Sequence, residues 1–535
     1  MRFEKFIKAT PFVLFFLFVT VPMLSLPRDM WDGTIIEYAS LIDDFSGLKT
    51  YFFESAWFLQ YPLSLAIIEI SQILNMSYKN LNALVVLLFM FIFLRETLFL
   101  AEHQIKLSKP ASYFALALVA TFGTWGVLLS SVMTFHLVCM AIGLLSVRTI
   151  HTKTLSSTLL GLTALLISLS LQSLSAFLPV LSYIYDLSER SQVRQLWFSK
   201  PSKQTTLIFG TCIAFYLVIR LFYPPSGLYE NYNNLVIGSF EGLAKAAFSS
   251  LALGTFLIPI FLIVACLSLL AIVVDNKTIN PTNEVNSYNP KWVVWLLILF
   301  CAGLFPYAAV GKYTALWAIG DWSSRQAFLL VLPTCLFTAL CLQILYDKFS
   351  AGLLRTCILT GGAVIFLFHL MLLTIDIEHK SNRQIFVTQL ENIMRANEDR
   401  LSPGLLEIVG SNLPTPTFRT YEANFLMYSA TGKANWFVRV GNNEDENFTI
   451  SCSLKENQNL NIYNYEPEHA NNHTVVEINA SGFRGRLKSS WLWRGLTHSV
   501  FLVRNLLGIN PPGVIELIRI YSKPVVQGLQ VENCN

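Results

Sequence analysis

Apolar stretches long enough to cross a membrane recur through the first two thirds of the chain, separated by short polar segments. Windows at 9–26, 81–100, 110–130, 132–149, 154–170, 172–187, 204–222, 246–273, 292–309, 326–346 and 355–375 are each predicted to form an apolar helix. The reason is length: roughly 20 apolar residues in a helix match the ~30 Å hydrocarbon core of a bilayer. The reading is an α-helical polytopic membrane unit of about eleven transmembrane helices over residues 1–376. After residue 376 the pattern changes. In IEHKSNRQIFVTQLENIMRANEDRLSPG, the apolar residues Ile385, Phe386, Leu390, Ile393 and Met394 stand at helical spacing among charges, which predicts an amphipathic helix entering a soluble domain. LLEIVG, then TFRTYEANFLMYSATGK, then WFVRV read as strand, helix ended by Gly432, and strand. Residues 377–535 are therefore expected to form a small soluble α/β domain, within the usual size of a domain.

Composition agrees with the periodicity. The chain is 53% hydrophobic and 13% charged, where soluble domains carry about 25% charged residues. Its 40 Phe and 11 Trp suit lipid-facing helices and interfacial belts. A net charge of +4 over 535 residues argues for no nucleic-acid partner. What matters is where the positive charges lie. Arg2, Lys5 and Lys8 precede the first window, Lys106 and Lys109 follow the second, and Arg190, Arg194, Lys200 and Lys203 follow the sixth. All three groups fall on one side if the spans are counted as above, and the positive-inside rule makes that side cytoplasmic. The N-terminus is then cytoplasmic, and the loops 27–80, 223–245 and 310–325, with the domain 377–535, are extracytoplasmic. The expected setting is a multi-pass protein of a bacterial inner membrane with a periplasmic domain. The N-terminus has the basic start and apolar stretch of a signal peptide but no evident cleavage site, and reads as a retained first helix.

The cysteines and known cofactor motifs add little. Seven cysteines, Cys139 through Cys357, lie in or beside apolar runs, where a thiol behaves as a small hydrophobe. Cys452 and Cys534 lie in polar sequence and are either a disulfide or two free thiols. No His or Cys spacing suggests a structural zinc site, and no Walker or Rossmann glycine set supports ATP or nicotinamide chemistry.

Candidate chemistry concentrates in the outside loops. Asp29, Asp32, Glu37, Asp43, Asp44 and Glu54 are interleaved with Trp31, Tyr38, Tyr51, Phe52, Phe53, Trp57 and Tyr61. Helix capping accounts for Asp29 and Asp32 in DMWD. The remaining carboxylates and aromatics suit a sugar, whose ring stacks on aromatics while its hydroxyls bond to carboxylates, and they equally suit an interfacial belt. In FPYAAVGKYTALWAIGDWSSRQAFLLVLP, Lys312, Asp321 and Arg325 accompany Tyr313, Trp317 and Trp322. These cations either hold a phosphate or anchor helix ends by snorkelling. His136 and His369 lie in apolar helices, as functional groups or as neutral hydrogen-bonded histidines. Arg484, Arg486, Lys488, Arg494 and Arg504, with Trp491 and Trp493, suit an anionic membrane or glycan surface, or a solvated helix face.

The order of a first helix, an acidic outside loop with WDGTIIEYASL and a later ESAWFLQYPLSL resembles the GT-C superfamily of lipid-dependent glycosyltransferases. The resemblance is to the branch of protein mannosyltransferases and the lipid A aminoarabinose transferase. Asp32 takes the place of the first acid of a D-E-x-x-Y-x-x-x-A motif, and Tyr61-Pro62-Leu63 is similar to the turn into the next helix. Gly33 stands where the second acid is expected, and Glu37-Tyr38 shifts the tyrosine. The resemblance implies a GT-C-like membrane domain that transfers a sugar, with inversion, from a polyprenyl-phosphate donor in the membrane lipid to a glycan, lipid or protein acceptor. It makes Asp32 the general base and Asp29 and Asp44 the reserves for that role or for a divalent cation, which some members use and others do not. Glu37, Glu54, Lys312, Asp321 and Arg325 are the expected substrate-binding residues, and no other cofactor is implied. Three other classes fit many spans with polar outside loops: a surface-polysaccharide polymerase or ligase, a polysaccharide or lipid transporter, and a non-catalytic assembly protein.

Overall fold

The computed structural model describes residues 2–25, 29–30, 33–42, 45–189, 200–226, 291–310, 322–348, 352–411, 420–433, 436–440, 472–479 and 516–523. Helix α1 (Arg2–Phe15) contains Pro11 and continues through a π turn at Phe16–Thr20 into Val21–Ser25. The acidic segment that follows is itself largely helical, as α2 (Gly33–Ile42), α3 (Phe45–Glu54) and α4 (Gln60–Ile73). Ser77 then caps α5 (Tyr78–Phe99) by accepting the Asn80 N–H at 3.2 Å. The hydroxyl satisfies one of the four free N–H groups of a helix start. α5 runs on through a π turn to Ile105.

Next come α6 (Lys109–Ala120), α7 (Thr134–Ile150), α8 (Leu155–Ser168), α9 (Leu174–Glu189) and α10 (Lys203–Phe222). After them are α11 (Lys291–Ala308), a 3-10 segment at Trp322–Leu330, α12 (Val331–Lys348) and α13 (Gly352–Ala396). Every predicted apolar window thus meets a helix except 246–273, which lies outside the described residues.

Among the described residues, six helical stretches are long and apolar enough to cross a membrane: Tyr78–Ile105, Ser131–Ile150, Lys203–Phe222, Lys291–Ala308, Arg325–Lys348 and Arg355–Ile377. A seventh is formed if Lys109–Ala120 and the 3-10 segment Gly123–Leu129, which meet at 44°, count as one broken span. The chain is therefore an integral membrane protein with several spans. Burial sorts the helices. α7 and α12 are covered on nearly every side, as helices that are apolar all round must be. In contrast, α8 and α10 leave Leu155, Leu160, Leu221 and Phe222 two-thirds or more exposed. An aqueous surface would not hold so much contiguous apolar area, so these faces meet lipid.

α13 is the element that joins the two parts of the molecule. Its 45 residues extend about 68 Å, more than twice the hydrocarbon core. No proline interrupts it, so the last apolar window and the amphipathic segment after residue 376 are one continuous helix. Its C-terminal half lays Phe386, Leu390 and Met394 on the core of a four-stranded sheet made of β1 (Gly404–Ser411), β2 (Trp436–Val440), β3 (His473–Asn479) and β4 (Glu516–Lys523). The strand order is β2-β1-β3-β4, with β4 antiparallel and the others parallel. Parallel neighbours need a crossover, and α14 (Thr420–Thr431) supplies it between β1 and β2. It stops at Gly432, whose φ of +66° suits glycine and whose N–H bonds the Tyr428 carbonyl at 2.7 Å.

Candidate functional site

Asp29 is held by three distant parts of the chain. Its carboxylate accepts the N–H of Met30 at 2.7 Å and that of Ser131, just before α7, at 3.1 Å. Its own N–H donates to the Glu37 carboxylate on α2 at 2.8 Å, and its carbonyl accepts Nε2 of Gln384 on α13 at 2.7 Å. Ser130 adds a bond from its hydroxyl to the Met30 carbonyl at 2.7 Å. Gly33 packs its backbone directly on the carboxylate, so that a Cβ at position 33 would overlap the Asp29 oxygens. The Asp29 carboxylate thus occupies the space into which a side chain at position 33 would project.

The surroundings make this carboxyl a proton acceptor near neutral pH. Burial, with 2% of the residue exposed, and the charge of Glu37 push it up to about 6, against the pull of the Ser131 and Met30 bonds and of the buried Lys79. A carboxyl whose affinity for protons rises on folding stabilises the fold fully below its ordinary 3.8 and loses that contribution as pH climbs through 6. The melting temperature of wild type relative to Asp29→Asn is accordingly expected to fall between pH 4.5 and pH 7 in detergent. An unchanging difference would mean that Asp29 is exposed in the working protein.

Asp29 and Thr34 open onto a narrow crevice, with about 20 Å³ of enclosed space, between the membrane bundle and the C-terminal domain. Its other walls are Arg383, Val387 and Glu391 of α13 and Glu422, Phe425 and Leu426 of α14. The charges there are paired: Arg383 with Glu422 at 2.6 Å and Arg395 with Glu391 at 2.6 Å, and the Glu391 carboxylate also accepts the Ser429 hydroxyl at 3.0 Å. Tyr38 of α2 meets Phe425 and Tyr428 of α14 edge-on, both at 5.4 Å, which fixes the acidic segment against the domain.

A second polar group sits one helical turn and a half along α7 from Ser131. The ring of His136 meets Trp57 at 5.5 Å and Phe328 at 6.2 Å. Arg325, half-buried at the head of the α12 span, acts electrostatically on His136 and on the Tyr307 hydroxyl. Gln60, at the first position of α4, donates through Nε2 to the Val132 carbonyl at 2.9 Å.

Of the residues expected from sequence, Asp29 lines the crevice, Glu37 adjoins it, and Arg325 stands half-buried at the head of the α12 span, away from the crevice lining. Glu54 ends α3, its carbonyl accepting the Ser226 N–H at 3.1 Å. Asp32, Asp44, Lys312 and Asp321 lie outside the described residues, as do Cys452 and Cys534. Sequence reasoning missed Ser131, Gln384, Arg383, Glu391 and Gln60. A signal existed for three of these: Asp376, Lys380, Arg383, Gln384 and Glu391 fall on one face of α13 at steps of three, four and seven. Among the described residues no three His, Cys, Asp or Glu side chains come together to hold a metal ion.

No protein-family model matches the chain, and no curated protein matches it.

Proposed function

We propose that this protein transfers a sugar from a polyprenyl-phosphate carrier to an acceptor hydroxyl at the extracytoplasmic face of the membrane. The observation that carries the reading is Asp29: a buried carboxyl poised to take a proton, fixed at the floor of a crevice between bundle and domain. The topology that goes with it has about eleven spans, the N-terminus in the cytoplasm and the sheet domain outside. A bacterial inner membrane is the setting.

In this reading an acceptor hydroxyl enters the crevice and gives its proton to Asp29 as its oxygen attacks the anomeric carbon. The bond from that carbon to the carrier phosphate breaks on the opposite face, so configuration inverts. The leaving phosphate gathers negative charge, which a guanidinium stabilises strongly where water is scarce. Arg325 is the cation assigned to it. Gly33 is a departure from the GT-C motif, and the Asp29 carboxylate lies directly against it. Asp32, first acid of that motif, is the alternative base.

The test is reconstitution of the purified protein in liposomes with labelled polyprenyl-phosphate sugars and membrane extracts as acceptor. Acceptor-dependent release of bare polyprenyl phosphate is the expected result. Movement of the intact lipid-linked sugar across the bilayer, with no release, would replace the enzyme by a transporter.

A further inference from the structure

α4 is built inside out for a helix in water. Gln60, Ser64 and Ser71 are buried against the rest of the protein together with Ile67 and Ile68, none more than 4% exposed. The outward side is apolar: Leu59 is 37% exposed, Ile70 46%, Leu74 55% and Ile73 81%, and Ala66 and the half-buried Leu63 complete the stripe. With 3.6 residues to a turn, these six positions fall within an arc of about 100°. The five buried residues lie on one flank of that arc, and Glu69 and Gln72, both exposed, lie on the other. An ordinary surface helix has one apolar stripe, which faces the core; a second one facing outward calls for a second apolar surrounding.

The two ends of α4 say what that surrounding is. At its start, Gln60 Nε2 bonds the Val132 carbonyl at 2.9 Å, next to the first residue of the Ser131–Ile150 span. There too the ring of Phe58 meets that of Tyr223 at 5.0 Å, one residue past the end of the Lys203–Phe222 span. At its other end, Ile73 stands five residues before Tyr78, where the next span begins. Both ends therefore lie at the level where spans start and stop on one side of the bundle. Fourteen residues make a helix of about 21 Å, too short for the ~30 Å core, and with both ends at one level it lies along the membrane surface. Its stripe is also continuous with a face that meets lipid, since Leu221 and Phe222, 74% and 73% exposed, lead directly to Tyr223. Phe53 extends the patch through Phe58 at 5.3 Å, and the Lys49 ammonium stands 5.6 Å from its ring, the pairing of aromatic and cation that suits the headgroup level. We infer that α4 is an in-plane helix of the extracytoplasmic leaflet, with the stripe from Leu59 to Leu74 seated among phospholipid acyl chains and Lys49 at the headgroups. The inference takes its side of the membrane from the proposed topology and does not depend on the transferase reading. Its consequence for the site is positional: Gln60 holds Val132 beside the Ser131 N–H that binds Asp29, so a lipid-seated α4 keeps Asp29 near the membrane surface.

The experiment places a nitroxide side chain at Ile70, Ile73, Gln72 or Leu221 of the full-length protein in phospholipid nanodiscs. A genetically encoded amino acid carries the label, so the native cysteines stay in place. Collision with oxygen, which concentrates among acyl chains, is compared with collision with a water-soluble nickel chelate. Labels at Ile70 and Ile73 are expected to behave like the one at Leu221, with oxygen favoured several-fold, while the label at Gln72 favours the chelate. If Ile70 and Ile73 favour the chelate while Leu221 favours oxygen, α4 stands above the membrane and the inference is overturned. Labels at Ile70 and Ile73 that neither reagent reaches would overturn it too, because a protein partner or a second copy of the chain would then cover the stripe. So would a label at Gln72 that favours oxygen, since α4 would then be immersed on every side and not lie at the surface. The readout needs no sugar donor, so its failure leaves the transferase reading intact, and failure of that reading leaves the in-plane helix standing.

Discussion

Asp29→Asn is expected to lower sugar transfer by about 10²–10⁴-fold, the usual worth of a positioned general base, while carrier binding stays within a small factor of wild type. The substitution is well suited to isolate proton transfer. An amide oxygen still meets the N–H groups of Met30 and Ser131, and the Asp29 backbone bonds to Glu37 and Gln384 do not involve the side chain. What disappears is the atom that accepts the acceptor's proton. The pH profile supplies a second readout: wild-type transfer should rise as pH passes about 6, where the buried carboxyl gives up its proton, and the residual activity of Asp29→Asn should lack that limb. Asp32→Asn, tested in parallel, separates the two candidates. If it alone abolishes transfer and Asp29→Asn keeps the rising limb, Asp32 is the base and Asp29 positions the loop.

How far such a site can be read in a sequence depends on what makes it. The apolar windows were legible because a span is an average over some 20 residues, and α5, α7, α10, α11, α12 and α13 all fall on them. The strand, helix and strand from Gly404 to Val440 were legible because period and a glycine stop are local signals. The acidic cluster was visible as composition, but composition does not say which carboxylate is held. Asp29 is distinguished by the backbone N–H of Ser131, 102 residues away, and by Gln384, 355 residues away. A backbone N–H carries no residue signature, and a glutamine on an amphipathic helix reads as solvated. Gly33 is the instructive case. In sequence it is a departure from a motif; in the fold it is the one residue small enough to lie against the Asp29 carboxylate. The continuity of α13 through residue 376 was hidden for a similar reason, since a change of composition marks a change of surroundings and not the end of a helix.

The same helix carries the second large effect. Asp376 and Lys380 are one turn apart, each 1% exposed, with the ammonium 2.6 Å from both carboxylate oxygens. The broken span packs against them at Gly126, where a Cβ would overlap the Asp376 carboxylate and lie 3.0 Å from the Lys380 Nζ. Removing one partner from such a pair takes the ion-pair partner away from a side chain that is only 1% exposed. Lys380→Met is therefore expected to destabilise the protein by about 3–5 kcal/mol, whereas the apolar double variant Asp376→Leu with Lys380→Met should recover most of the loss, since two desolvated charges and a well-packed apolar pair are nearly equivalent in stability. Thermal inactivation in detergent measures both. Function separates them further. Gln384 lies one turn beyond Lys380 and holds the Asp29 carbonyl, so a single variant that lets α13 shift at the Gly126 contact should lose transfer along with stability, and the double variant should regain both together. Were Lys380→Met to melt like wild type, the pair would have to be hydrated in the membrane, and α13 would then fix Asp29 through Gln384 and the crevice contacts of Arg383 alone.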